Sequence, residues 1–573
     1  MSAVLTDNLP LLTGAPNGIK KLRELILELA VRGKLVPQAP SDEPASELLK
    51  RIAEEKARLV AQGKIKKQKP QPEITDEEKP FQLPIGWEWV RLDSLLKKIG
   101  AGSTPLGGKQ AYVANGVKFL RSQNVWNEGL RLNEVAFITE EIHQKMSGTH
   151  VEAGDLLFNI TGASIGRCAA VPADFDTGNV SQHVTIIRPV LGATQPFLHT
   201  ALISQLVQQT VMDVQVGVSR EGLSIGKLAQ FLIPFPPEAE QHRIVAKVDE
   251  LMALCDRLEA RQTDADSAHA QLVQALLNSL TQASDAADFA QSWQRLAEHF
   301  HTLFTTESSI DALKQTLLQL AVMGKLVPQD SSDEPASELL VKRSNETNVG
   351  GVNKNKKSFP ASAEGESLFA TPKSWAWCCV GDLISVKHGY AFSSKYFAES
   401  KAPYILTTPG NFFEFGGFKN RGDRTKYFDG PVAQDFILEP GDLIVAMTEQ
   451  ASGLLGSVAA IPSDGNTYLH NQRLGKLIFD FEILCPGFVS LYFNSTFLRS
   501  GVAESSTGMK VKHTSPAKIE AISFPLPPLA EQHRIVSKLD QLMALCDQLK
   551  ARLNQVRQVH EHLASALVEQ AVA

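Results

Sequence analysis

The chain has 573 residues, 43% of them hydrophobic and 21% charged, with a formal net charge of −6. These values exclude a disordered or fibrous chain and predict about three to five globular domains. The sequence has no uncharged apolar run of about 18 residues, no secretion signal at its N-terminus and no Cys-x-x-Cys pair among its six cysteines, so we expect no membrane span, no zinc or disulfide framework and a cytoplasmic location.

The first predicted element is a helix over Ile19–Val31. Gly33 ends this helix, since glycine readily adopts the left-handed conformation after a helix, and Pro37 prevents its resumption. A polar stretch containing the lysine run 64–69 follows. We interpret such runs, including a second one at 353–357, as solvated linkers, and a direct contact with phosphate is the alternative.

Two regions of the chain have the short, interrupted strands of a loop-rich mixed α/β domain. In the first region, 81–236, the strand-like runs are Val117–Leu120, Asp155–Ile160 and Val184–Ile187; in the second, 369–527, they are Asp442–Met447 and Lys476–Phe479. A Gly-Asp pair precedes a strand in each region, at Gly154-Asp155 and Gly441-Asp442. Both pairs are typical of turns rather than of metal sites.

A long helix follows each α/β region, at 238–280 and at 529–571, and each is preceded by a proline that suits a helix start. Apolar residues alternate three and four apart along both helices, as in a heptad seam. The seam residues are Ile244, Val248, Leu251, Cys255 and Leu258 in the first, and Ile535, Leu539, Leu542, Cys546, Leu549, Leu553, Val556, Leu563 and Leu567 in the second. We predict an antiparallel coiled coil between them; separate docking of each helix on its own domain is the alternative.

The chain repeats itself at an offset of 291 residues. Residues 26–49 and 317–340 agree at 19 of 24 positions, and residues 234–261 and 525–552 agree at 21 of 28. The intervening stretches, each of 184 residues, are largely unlike each other. A period of this kind indicates duplicated structural units: two copies of one fold with different surfaces on a repeated helical frame, including a second short helix at Ile310–Met323.

The repeat predicts five segments and an α/β (α+β) fold with a pseudo-twofold internal repeat. The segments are an N-terminal helical region and linker (1–80), a first variable domain (81–236), a central region with a long helix and a linker (237–368), a second variable domain (369–527) and a C-terminal helix (528–573).

Catalytic signatures are absent from the sequence. It contains no P-loop, no Asn- or Asp-Pro-Pro-aromatic tetrapeptide of an amino-methyltransferase and no His-Glu-x-x-His helix. The repeated Ala-Glu-Gln-His-Arg-Ile-Val places His242 beside Glu240 and His533 beside Glu531. Because each pair lies on the first turn of a heptad helix, a structural or docking role is favoured over acid–base catalysis.

Two similar domains with different surfaces at a fixed separation can read two different DNA half-sites. Arg and Lys suit guanine, and Asn and Gln suit adenine, because each pairing can make two hydrogen bonds. The candidate DNA-binding residues of the first domain are Ser103, Thr104, Lys109, Arg121, Ser122, Gln123, Asn124, Asn159, Thr161, Ser164, Gln182 and His183. Those of the second are Lys387, His388, Tyr390, Ser393, Thr448, Gln450, Ser452, Asn471, Gln472, Arg473, Lys510 and Lys512.

Neither variable domain carries excess positive charge. Residues 81–236 hold 12 basic and 12 acidic residues, and residues 369–527 hold 14 of each. We therefore expect few phosphate contacts from this chain and expect partner proteins to supply much of the sequence-independent affinity.

With these features the chain resembles the specificity (S) subunit of a bacterial type I restriction–modification system. The resemblance is carried by the Gly-Lys-Leu-Val-Pro-Gln and Asp-Glu-Pro-Ala-Ser-Glu-Leu-Leu blocks, the doubled Pro-Pro-x-Ala-Glu-Gln-His-Arg-Ile-Val and the Gly-Trp-Glu-Trp and Ser-Trp-Ala-Trp openings. It implies two target-recognition domains, each reading half of a bipartite, asymmetric DNA site, with a helical spacer that sets the gap.

The resemblance also implies partners and cofactors. Two modification subunits would dock on the helices at 238–280 and 529–571 and would methylate adenine with S-adenosylmethionine. Two restriction subunits would use ATP and Mg²⁺. This chain would bind no cofactor or metal and would catalyse nothing by itself. The alternatives are a self-sufficient DNA-modifying enzyme and a coiled-coil scaffold that does not recognise bases.

Overall fold

A computed structural model describes residues 9–66, 71–215, 222–349, 369–414, 416–449, 453–508 and 512–572. Contacts divide the chain into two compact units, one of Met1–Asp264 with Val556–Ala573 and one of Ala265–Gln555. Each unit contains helices and mixed sheets, which confirms the predicted α/β class. In the described part of the chain, no helix combines the length and apolar character needed to cross a bilayer.

The first unit begins with frame helices and continues into a sheet-rich domain. Its helices are α1 (Leu9–Gly14), α2 (Gly18–Val31), α3 (Ala45–Ala61), α4 (Glu140–Lys145), α5 (Gln195–Ile203), α6 (Gln205–Gln215), α7 (Ile225–Ala229) and the first part of α8 (Glu238–Thr281). Its strands are β1 (Glu88–Arg91), β2 (Leu96–Ala101), β3 (Val117–Leu120), β4 (Val125–Trp126), β5 (Gly129–Leu130), β6 (Ala136–Ile138), β7 (His150–Val151), β8 (Leu156–Asn159), β9 (Cys168–Ala170), β10 (Gly178–Val180), β11 (Val184–Pro189) and β12 (Leu232–Phe235).

Two four-stranded sheets and two ribbons organise this unit. The sheet orders are β2-β11-β8-β9, which is antiparallel, and β6-β3-β10-β7, in which β3 and β10 run parallel. The β1–β12 ribbon pairs Glu88 with Phe235 and Arg91 with Leu232, so both ends of the domain meet beside the start of α8. Strand β8 is buried along its whole length, which explains why its sequence reads as a continuous apolar run.

The second unit repeats this plan. Its helices are the end of α8, α9 (Ala286–Glu298), α10 (Phe300–Leu303), α11 (Glu307–Val322), α12 (Ala336–Val349), α13 (Val380–Leu383), α14 (Pro486–Asn494), α15 (Thr496–Ser505), α16 (Pro516–Glu520) and most of α17 (Leu529–Val572). Its strands are β13 (Ala376–Cys379), β14 (Ile384–His388), β15 (Phe397–Ala398), β16 (Tyr404–Leu406), β17 (Tyr427–Phe428), β18 (Ile437–Leu438), β19 (Leu443–Ala446), β20 (Val458–Ala460), β21 (Thr467–Leu469), β22 (Leu474–Phe479) and β23 (Ser523–Leu526).

The sheets of the second unit correspond to those of the first. The β14-β22-β19-β20 sheet has the strand plan of β2-β11-β8-β9, and the β13–β23 ribbon corresponds to β1–β12. The remaining sheet has five strands in the order β15-β17-β16-β21-β18. The two variable stretches therefore share one architecture despite their unlike sequences.

The long helices α8 and α17 are both present, each of 44 residues or about 66 Å. The seam residues of α8 from Ile244 to Cys255 are buried in the core of the first unit, and those of α17 from Ile535 to Cys546 are buried in the core of the second unit. The seam prediction is wrong at Val556 and Leu563, which are 50% and 45% exposed, because this middle stretch lies between the two buried ends. In α8 the corresponding stretch, 259–268, is likewise exposed.

Equivalent contacts at the helix ends show how the repeat is completed. In the first unit the Lys34 ammonium donates to the carbonyl oxygen of Val572 at 2.8 Å. In the second unit Lys325 donates to the carbonyl oxygen of Thr281 at 2.9 Å. The last residues of each long helix therefore contact the Gly-Lys turn of one copy of the repeat. Lys34 and Lys325, which are 291 positions apart, make equivalent hydrogen bonds.

Candidate nucleic-acid interface

The repeated Ala-Glu-Gln-His-Arg motif forms the joint between each variable domain and its long helix. The indole N–H of Trp87 donates to Oε2 of Glu240 at 3.0 Å, and the Gln38 amide donates to Oε1 at 3.1 Å. Burial raises the pKa of the Glu240 carboxyl, and the two hydrogen bonds oppose that rise. Arg243 forms an ion pair with Asp42 at 2.6 Å. These contacts favour the predicted structural role.

The second unit repeats the glutamine–glutamate hydrogen bond and the arginine–aspartate ion pair of this joint. Gln329 donates to Glu531 at 2.5 Å, and Arg534 pairs with Asp333 at 2.5 Å. His242 and His533 are exposed in both copies, so these imidazoles lie on the surface while their neighbours hold the joint together. No three His, Cys, Asp or Glu side chains of the described residues are grouped closely enough to hold a metal ion.

In the first domain, the candidate side chains gather on the loops that follow β2, β3, β8 and β10. Ser103 N donates to the carbonyl oxygen of Val180 at 3.2 Å, and Ile160 N donates to that of His183 at 3.0 Å. The hydroxyl of Thr161 lies 2.6 Å from Nδ1 of His183. A Cβ on Gly102 would lie 2.1 Å from the Val180 carbonyl oxygen, so only glycine allows the backbone after β2 to pass this close to the end of β10. This close backbone approach is here called the glycine crossing.

Two of these candidates are buried and hold loops in place. Asn124 is 2% exposed; its amide oxygen accepts from Arg121 N at 3.0 Å and its amide nitrogen donates to the Arg131 carbonyl oxygen at 2.8 Å. Asn159, fully buried, donates to the carbonyl oxygen of Ser122 at 2.9 Å and to the Ser164 hydroxyl at 3.1 Å.

The other first-domain candidates are accessible to solvent. The exposed members are Ser103, Thr104, Lys109, Gln123, Gln182 and His183, and the half-buried ones are Arg121, Ser122, Thr161 and Ser164. The Arg121 guanidinium donates to the Glu134 carbonyl oxygen at 3.0 Å. The exposed set can present both donors and acceptors to base edges.

In the second domain, β14 continues into a loop that lies against residues 470–473. Tyr390 N donates to the His470 carbonyl oxygen at 2.9 Å, and Gln472 N donates to that of Tyr390 at 2.9 Å. A Cβ on Gly389 would lie 2.1 Å from the Asn471 carbonyl oxygen. This is the same glycine crossing as at Gly102. The residue that follows the glycine is Tyr390, whose side chain is 52% exposed, where the first domain has Ser103.

The remaining second-domain candidates differ in exposure. His388, Ser393, Gln472, Arg473 and Lys512 are exposed, Lys387 and Asn471 are half-buried, and Thr448 is buried. Lys387 is held 3.5 Å from the Asp435 carboxylate, and the Thr448 hydroxyl lies 3.2 Å from Nδ1 of His513. Gln450, Ser452 and Lys510, like the lysine run at 353–357, lie outside the described residues.

A group of aromatic and basic side chains that was not predicted from the sequence lies beside these loops. The Trp126 ring has the Arg131 guanidinium 3.5 Å and the Arg167 guanidinium 3.7 Å from its centre. In the second domain Lys419 lies 5.6 Å from the centre of the Phe413 ring. The signal available in the sequence was an aromatic residue two positions after an asparagine, with a basic residue further on, in both domains.

Fold and loops together define a duplicated recognition protein, and comparisons with known proteins identify its family. A family model described as "Type I restriction modification DNA specificity domain" matches residues 84–265 and again residues 372–558. The EcoAI specificity subunit of Escherichia coli, a type I restriction enzyme component, is 37% identical over 97% of this chain and 94% of its own length. The EcoEI specificity subunit of the same species is 36% identical over the same shares.

One solved structure supports the fold. A chain from work on complex assembly and conformational transition of the type I R-M system is similar with a TM-score of 0.50 and 18% identity, over 86% of this chain and 99% of that one. The doubled family match and the identities settle the classification: the chain belongs to the type I restriction–modification DNA specificity family and carries two specificity domains.

Proposed function

We propose that this chain selects the DNA sequence on which a type I restriction–modification complex acts. Its two target-recognition domains, at 81–236 and 369–527, each read one half of a bipartite, asymmetric site. The observation that carries the proposal is the repeated glycine crossing: one backbone arrangement presents Ser103 in the first domain and Tyr390 in the second. Two domains that have the same backbone arrangement but different exposed side chains suit two different half-sites.

The exposed members of the two candidate sets are the proposed base readers. In the first domain they are Ser103, Thr104, Lys109, Gln123, Gln182 and His183, supported by the half-buried Arg121, Ser122, Thr161 and Ser164. In the second they are His388, Tyr390, Ser393, Gln472, Arg473 and Lys512, with Lys387 and Asn471. The buried Asn124, Asn159 and Thr448 belong to the same sites as loop supports, because each side chain makes at least one hydrogen bond within the domain.

We further propose that α8 and α17 pair as an antiparallel spacer that sets the gap between the half-sites. Two modification subunits dock on these helices and methylate adenine with S-adenosylmethionine, and two restriction subunits use ATP and Mg²⁺ in the bacterial cytoplasm. The exposed middle of each helix and the repeated, exposed His242 and His533 support the docking of partner subunits. In this proposal catalysis and cofactors belong to the partners.

The test is selection from a random pool of duplex DNA by the full chain in complex with its modification partner. We expect enrichment of one sequence in two parts separated by a constant gap. Enrichment without any sequence preference would favour the scaffold alternative. Methyl transfer by the isolated chain would favour a self-sufficient enzyme.

A further inference from the structure

The side chains Arg131, Trp126 and Arg167 form a stack on the surface of the first target-recognition domain, here called the Trp126 stack. The two guanidinium carbons lie 3.5 Å and 3.7 Å from the centre of the aromatic ring. Stacking uses the flat face of a guanidinium and leaves its in-plane N–H donors free for another partner. The stack therefore presents two oriented cations without the entropy cost of ordering two free arginines.

The Trp126 stack is built rigidly next to the proposed base readers. Trp126 lies on the β4–β5 hairpin opposite Gly129, and its indole N–H donates to the Gln123 carbonyl oxygen at 2.8 Å. The Asn127 side chain accepts from Cys168 N at 3.1 Å, which fixes the hairpin to β9. A duplex read by Gln123 would bring its backbone close to this hairpin.

Several other basic residues of this domain already pair with carboxylates. Lys118 pairs with Asp176, Lys145 with Glu141 and Arg188 with Asp155, each at 2.6 Å. Among the described residues, the Arg167 guanidinium has no hydrogen bond or ion pair. Arg131 has one carboxylate neighbour, Glu128, 4.0 Å away, and both side chains of that pair are mostly exposed. An exposed pair at this longer distance contributes little.

The second domain has a smaller version at the equivalent place. Asn411 accepts from Thr408 N at 3.0 Å and donates to the Lys419 carbonyl oxygen at 3.4 Å, as Asn124 does with Arg121 and Arg131. The aromatic residue is again two positions after the asparagine, Phe413, and is 50% exposed. Lys419, also exposed, takes the place of Arg131. The two domains differ in sequence here, but both have an aromatic–cation pair beside the loops that carry the proposed base readers.

We infer that the Trp126 stack binds the phosphate backbone of DNA beside the first half-site, and that Phe413 with Lys419 does so more weakly beside the second. This inference rests on the proposed function and assigns contacts that fix register rather than sequence. A domain with no net charge needs a few well-placed cations for this purpose, and guanidinium groups suit phosphate because their donors can bind it in pairs.

The experiment measures binding of the full chain with its modification partner, over a range of salt concentrations, to the selected duplex and to a duplex with a scrambled first half-site. For Arg131→Ala and Arg167→Ala we expect weaker binding to both duplexes and, for each lost phosphate contact, a salt slope smaller by about 0.9. Lys145→Ala, which removes an equally charged but paired side chain of the same domain, is the matched control and should leave the slope unchanged.

Two outcomes overturn the inference. Unchanged affinity and slope in Arg131→Ala and Arg167→Ala would show that the stack does not contact phosphate. Weakening confined to the selected duplex would make these arginines base readers. The glutamine variants at both positions serve if an alanine variant is poorly folded by circular dichroism. A wild-type complex without sequence preference would count against the proposed function, whereas the slope change would still report the backbone contact.

Discussion

His470 is a buried titratable side chain of the second target-recognition domain, with 1% of its surface exposed. Burial lowers its pKa to about 4, and Nε2 bonds the Leu474 carbonyl oxygen at 3.0 Å. Because the folded state favours the neutral ring, this contribution to stability is fully present above the unfolded pKa, about 6.5, and is lost as the pH falls towards 4. The loss amounts to as much as about 3 kcal/mol.

We predict that His470→Gln removes this pH dependence. The measurement is urea unfolding of the full chain, wild type and variant, at several values between pH 7 and pH 4. The free energy of unfolding of wild type should exceed that of the variant by the largest amount at pH 7, and this difference should shrink as the pH falls. Curves that stay parallel over this range would contradict the assignment to His470.

Neighbouring Gln123 and Asn124 should respond differently to alanine. Asn124 is buried and its amide satisfies two backbone groups, so Asn124→Ala should destabilise the domain by about 2 kcal/mol, since buried groups left without partners are costly. Gln123 is exposed, and Gln123→Ala should leave stability unchanged while relaxing base preference in the first half-site. Thermal unfolding and selection from random DNA measure the two effects. An unaltered preference in Gln123→Ala would remove Gln123 from the readers.

The turn after α2 depends on Gly33, whose φ is +67°. A Cβ there would lie 2.5 Å from the Pro84 ring and 3.1 Å from the Trp87 ring. Gly63, after α3, has a similar φ of +70° but nothing within 4 Å of its Cβ position. Gly33→Ala should therefore destabilise the chain clearly more than Gly63→Ala, which costs only about 1 kcal/mol of backbone strain. Equal unfolding free energies for the two variants would show that the Trp87 contact tolerates the methyl group.

Periodic and repeated elements could be predicted from the sequence, because their residues are close in the chain. The seam from Ile244 to Cys255 follows from helical spacing, and the strand at Leu156–Asn159 follows from its apolar run. At Val556 and Leu563 the same spacing failed, because apolar periodicity does not tell which part of a long helix has a partner.

The site was harder to predict than the fold. Asparagines that read bases and asparagines that hold turns have the same side chain, and only their burial in the fold distinguishes Asn124 and Asn159 from their exposed neighbours. The part of Arg167 in the Trp126 stack could not be predicted, because the fold brings this residue to the ring from just before β9, far along the chain.

The two ends of each target-recognition domain are joined to each other by backbone hydrogen bonds that do not depend on its side chains. Leu92 N donates to the Phe231 carbonyl oxygen at 2.9 Å in the first unit, and Val380 N donates to that of Ile522 at 2.8 Å in the second. These bonds lie next to the β1–β12 and β13–β23 ribbons, where both ends of each domain meet. The segments 92–231 and 380–522 therefore begin and end at equivalent points.

We predict that a chain in which 380–522 replaces 92–231 folds and assembles with its modification partner, because the joints at Glu240 and Glu531 lie outside the exchanged segments. Selection from random DNA should then yield the second half-site twice, with the first half-site gone and the gap unchanged. The reciprocal exchange is the matched control and should yield the first half-site twice. Persistence of the first half-site after its domain has been replaced would show that base recognition lies in the frame, and the assignment of one half-site to each domain would be wrong.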